Sequence, residues 1–104
     1  MVDQTQVEKL VIDGLRTVYD PEIPVNIYEL GLIYGVAVEP SGLVTIRMTL
    51  TAAGCPAARS LPLEVEQRAR AVPGVTDVKV DVVFDPPWDQ NLMSEAARLE
   101  LGLL

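Results

Sequence analysis

From Leu43 to Thr51 the chain alternates without a break, Val44, Ile46, Met48 and Leu50 standing against Thr45, Arg47, Thr49 and Thr51. A period of two sends one set to each face of a β-strand, so this run predicts a sheet with one buried and one more polar face. Ile33 to Glu39 is also rich in β-branched residues, and Pro40-Ser41-Gly42 joins the two runs by a short glycine-containing loop that predicts a hairpin. After a turn at Pro73-Gly74, Val75 to Phe84 alternates again: Val78, Val80, Val82 and Phe84 oppose Asp77, Lys79, Asp81 and Val83.

Helical spacing surrounds these strands. Val7, Leu10, Val11, Leu15 and Val18 recur at helical intervals between Thr5 and Tyr19. Asp20-Pro21-Glu22-Ile23-Pro24 then forces a loop, because each proline disfavours helical geometry at the residue before it. Asn26 and Glu29 have the spacing of a capping box on one short turn, with Gly31 placed to end it. A second helix runs from about Leu61 to Val72 with Leu61, Val65, Ala69 and Val72 as its apolar stripe. Pro62 would interrupt a helix that began at Pro56 but would sit in the first turn of one capped by Ser60, so a kinked or late-starting helix is expected. Asp85-Pro86-Pro87-Trp88-Asp89 is a rigid connector to a last helix, from near Asn91 or Ser94 to Leu101, with Gly102 as terminator.

The expected fold is therefore α+β, a two-layer sandwich in the order helix, strand, strand, helix, strand, helix, with a small three-stranded mixed sheet covered by helices. At 104 residues the chain reads as a single domain, 1–104. Fifteen acidic residues against eight basic ones leave a formal charge of -7, which opposes binding to phosphate backbones and to anionic membranes. The polar start lacks the basic and apolar regions of a secretory signal, and no apolar run approaches membrane-spanning length. With one cysteine and so no intrachain disulfide, a cytoplasmic location is expected.

That cysteine, Cys55, follows Gly54 and precedes Pro56, where the β-patterned run gives way to the helical one. Gly54 shields it little and Pro56 biases it toward extended backbone, which favours a presented sulfur. The other reading is a packed one, since free cysteine commonly behaves as a small hydrophobe. There is no histidine, so Cys55 is the only strong soft ligand and the best nucleophile available. Arg59 supplies a positive charge nearby in sequence that would stabilise a thiolate.

Six motifs in order resemble the SufT/PaaD-like family of iron-sulfur cluster assembly proteins: Asp20-Pro21-Glu22; Asn26 to Tyr34; Met48 to Thr51 ending at Gly54-Cys55-Pro56; Gly74-Val75; Asp85 to Trp88; and Met93 to Arg98. The likeness covers nearly the whole chain and is strongest to the free-standing SufT-type members. It implies an accessory factor that helps mature iron-sulfur proteins, with the family's cysteine at Cys55 and its acidic motif at Asp20 and Glu22. The extra C-terminal cysteines of members serving phenylacetate ring-hydroxylase maturation are absent, and so is a Walker-type phosphate loop.

Clusters are usually held by four protein ligands, mostly thiolates, and one chain supplies one. Three mechanisms follow: a cluster shared across a homodimer or with a client, ligation only during transfer, or an adaptor that joins an assembly scaffold to client apoproteins without holding iron. Cys55 is the expected cluster and metal ligand, and no cofactor beyond a transient or shared cluster is expected. Asp20 and Glu22 read either as hard iron ligands or as a turn cap and a solvated carboxylate. Thr51 either shapes the cysteine loop or is an ordinary sheet-edge threonine, Asn26 reads as a cap, and Trp88 reads as a recognition anchor or as packing at a helix end. The chain is expected not to be an enzyme. The alternative is a thiol-dependent enzyme with Cys55 as nucleophile, which the missing histidine and the acidic surplus disfavour.

Overall fold

The computed structural model describes residues 3–20, 23–51 and 57–103, with side chains from Ser60 onward in the last stretch. Three helices and three strands follow in the expected order: α1 Gln4–Leu15, β1 Ile33–Val38, β2 Leu43–Met48, α2 Ala57–Arg70, β3 Asp77–Val82 and α3 Glu95–Glu100. A single 3-10 turn, Gln90–Leu92, precedes α3.

The sheet order is β1-β2-β3. β1 and β2 form the antiparallel hairpin, while β2 and β3 run parallel because α2 carries the chain back to the other side of β2. The register sets Val36, Ile46 and Val80 side by side, and likewise Val38, Val44 and Val78, so one face of the sheet is an apolar layer. Helices α1 and α2 pack on it through Val11, Leu15, Leu61, Val65 and Ala69, all fully or almost fully buried. Each of the valines and leucines contributes about 1.5–3 kcal/mol of burial.

α1 begins at an Asp3 cap that accepts from the Gln6 amide at 3.1 Å, and it stops at Leu15, four residues short of the expected Tyr19. Its periodicity continues to Val18 only because Val18 is core-facing in the next turn, and Tyr19 already pairs with Asn26 in an isolated antiparallel bridge.

α2 corrects the late-start expectation. It begins at Ala57, so Ser60 is not its cap and Pro62 stands inside it. The missing amide of Pro62 costs the helix about 3 kcal/mol, and the stripe of Leu61, Val65 and Ala69, buried against the sheet, offsets that cost. Two strand faces also end sooner than the alternation suggests. β2 stops at Met48, after which the Thr49 amide donates to the Leu32 carbonyl at 2.8 Å and Thr49 turns inward, fully buried. Phe84 lies beyond the end of β3 and is half exposed. The C-terminal stop is as expected: Ser94 caps α3, and Gly102, at φ +75°, lets the amides of Gly102 and Leu103 return to the carbonyls of Leu99 and Arg98.

Candidate functional site

The segment from Tyr19 to Leu32 organises the candidate region. Asp20 is buried, and its carbonyl accepts from the Ile23 amide at 3.3 Å; on either side Tyr19 bridges to Asn26 and the Ile27 amide bonds to Val18. Asn26 then caps the next turn: its Oδ1 accepts from the Glu29 amide at 3.0 Å. The reciprocal half of a capping box is absent, because the Glu29 carboxylate instead faces Arg16 at 4.0 Å. Gly31 ends the turn at φ +86°, and a Cβ there would overlap the Leu92 carbonyl, so only glycine fits.

The remaining elements close on the same turn. Trp88 is half-buried against the core, and its Nε1 donates to the Leu30 carbonyl at 2.9 Å, so the indole packs and pins and is not a free anchor. The Ser94 amide donates to the Glu29 carbonyl at 2.9 Å, and Tyr34 donates its hydroxyl to the Pro86 carbonyl at 2.7 Å. From β2, the Thr49 amide bond to Leu32 brings the strand exit beside the end of the turn, with Thr51 half-buried two residues further on.

Asp20, Asn26 and Trp88 are thus gathered around one turn system, and Thr51 lies on the strand exit that abuts it. Glu22, Gly54, Cys55 and Pro56, and the side chain of Arg59, lie outside the described residues. Among the described residues no three His, Cys, Asp or Glu side chains come together as a metal-holding group.

A model of iron-sulfur cluster assembly proteins matches residues 8–82. The chain belongs to this family. The match runs from α1 through the whole sheet, so it includes the turn system, the β2 exit and Cys55. An Fe-S protein maturation auxiliary factor of Porphyromonas gingivalis is 54% identical over 99 residues, spanning 95% of this chain and 94% of the relative. The auxiliary factor YitW of Bacillus subtilis is 41% identical, over 89% of this chain and 91% of its own. The crystal structure of a domain of unknown function from Bacillus anthracis superposes with a TM-score of 0.89 at 36% identity, covering 97% of this chain and 96% of that one. The resemblance to SufT-type family members and the α+β architecture both hold.

Two residues of this region escaped the sequence reading. Thr49 is fully buried with its hydroxyl unpartnered among the described residues, and its place in a clean alternation marked it as surface-facing. Tyr19, read as the last residue of α1, is 53% exposed beside the turn. A bridge to Asn26 takes it out of the helix, and no local pattern announces that pairing.

Proposed function

We propose that this chain is an accessory factor in the maturation of iron-sulfur proteins, that the cluster is its cargo, and that Cys55 is the ligand through which the cargo passes. The observation that carries this reading is the family match, which spans the only thiol in the chain together with the turn system. In sequence Cys55 stands two positions ahead of Ala57, where α2 begins. One thiol and no histidine make a resident four-ligand cluster held by one chain a poor fit. Ligation is accordingly transient, or shared with a second copy or a client protein.

The chain acts without chemistry of its own. No histidine is available to activate the cysteine, and the acidic surplus works against a nucleophilic thiolate. Its partners are an assembly scaffold and client apoproteins, and its location is cytoplasmic. Among the described residues no helix is long and apolar enough to cross a membrane.

Anaerobic reconstitution with ferrous iron and sulfide tests ligation. Visible charge-transfer absorption is expected in the wild type and not in Cys55→Ala, and equal absorption in both excludes Cys55 as ligand. In cells lacking the protein, several unrelated iron-sulfur enzymes should lose activity together. Full rescue of those enzymes by Cys55→Ser would leave the adaptor role in place of ligation.

A further inference from the structure

A shallow, open hollow of about 250 Å³ lies between Pro24, Val25 and Asn26 and helix α3. Val25, Ala96 and Ala97 supply its apolar lining, and Tyr19, Glu29 and Glu100 its aromatic and acidic lining. Ala96 and Glu100 are one helical step apart on α3 and so share a face. Its lining segments are tied together: the Ser94 amide at the start of α3 donates to the Glu29 carbonyl, and Tyr19 pairs with Asn26 in the antiparallel bridge. A socket held this way loses little entropy when it is filled.

Size and charge narrow the occupant. Drug-sized ligands take roughly 300–1,000 Å³, so this cavity suits a single side chain. The groove along α1 is larger, about 480 Å³, and there Lys9 and Arg16 balance Glu8 and Asp13. The socket, by contrast, is lined among the described residues by two carboxylates and no cation. Arg16 comes only to 4.0 Å of Glu29 and lies over the Tyr28 ring, 4.8 Å from its centroid, while Glu100 has no ion-pair partner among the described residues. Tyr19 adds an exposed aromatic ring. An aromatic ring beside two carboxylates on an acidic chain is complementary to a guanidinium, whose flat face stacks and whose fork bonds carboxylates, more than to the compact ammonium of lysine.

We infer that this socket is a docking point for an arginine side chain presented by a partner protein. The inference goes beyond cluster maturation and stands without it, since filling the socket needs neither iron nor Cys55.

The test is a titration of the full chain with N-acetyl-arginine amide, followed by amide and side-chain NMR shifts, with the citrulline and lysine analogues as controls. Saturable shifts are expected at Tyr19, Ala96, Ala97 and Glu100, weakening as salt rises. The citrulline analogue, of nearly the same shape and uncharged, should leave these residues still, and lysine should bind more weakly than arginine. In Glu29→Gln/Glu100→Gln, affinity should fall roughly tenfold or more while the remaining spectrum stays in place. Equal response to citrulline, non-saturating shifts spread over the acidic surface, tighter binding of lysine, or unchanged affinity in the double variant would each overturn the inference.

Discussion

Trp88 and Leu30, 58 positions apart in sequence, are joined by a 2.9 Å hydrogen bond from the indole Nε1 to the backbone carbonyl. The bond ties the proline-rich connector to the turn that Asn26 caps from within. Trp88→Phe keeps most of the packing and strands the carbonyl, so stability should fall by about 1 kcal/mol. Asn26→Ala should cost about the same through the lost cap. Because both residues brace one turn, their effects should couple by roughly 0.5 kcal/mol or more in a double-mutant cycle read by urea unfolding.

Gly31 gives a harder test of the same turn. Its positive φ and the Leu92 carbonyl lying where a Cβ would go mean that Gly31→Ala adds both backbone strain and overlap. The expected loss is roughly 2 kcal/mol, seen by circular dichroism as a drop in Tm on the order of 10 °C. Gly35→Ala meets open space and has no positive φ to strain, and it should change Tm far less.

The sheet and helices were legible because each is written in local periodicity. The Val44-Ile46-Met48 set faces the helices as the alternation requires, and Gly102 stops α3 as glycine placement requires. The failures arise where a distant contact overrides the local signal. Pro62 argues against a continuous helix, yet the burial of Leu61 and Val65 on the sheet outweighs one lost hydrogen bond. Thr49 continues the pattern of β2, and its amide still bonds across to the Leu32 carbonyl, yet its side chain is fully buried where the alternation puts it on the open face. The candidate site was legible as a list of residue types. That Asn26 and Trp88 meet at one turn, with Asp20 just ahead of it, depends on hydrogen bonds across the chain, which no spacing rule encodes.

Thr49 makes a prediction of opposite sign to most core substitutions. Its hydroxyl is buried without a partner among the described residues, and Val is nearly the same shape without the polar atom. Thr49→Val should therefore raise stability by roughly 1 kcal/mol, moving the urea midpoint up at unchanged slope. Thr49→Ser keeps the unpaired hydroxyl and removes a buried methyl, so it should lower the midpoint. A drop for Thr49→Val would mean that the hydroxyl has a partner in the folded protein.

Among the described residues Asp77 carries the clearest pH signature. The Val78 amide bonded to its Oδ1 at 2.9 Å, followed by the Arg70 guanidinium at 2.8 Å, holds its carboxyl below the usual carboxylate range, and Arg70 is in turn raised by Glu66 and Asp77. A depressed folded pKa means that the folded state prefers the ionised form. The stabilisation is thus fully present above the ordinary carboxylate pKa and is lost as pH falls toward the depressed folded value. Both groups are largely exposed, so the effect on stability is small and should shrink with added salt. Following the Asp77 side-chain carbon by NMR through an acid titration checks the order of causes. In Arg70→Met the midpoint should move up only part of the way, because the larger contribution, from the Val78 amide, remains; a full return to the ordinary carboxylate value would assign the shift to Arg70 alone.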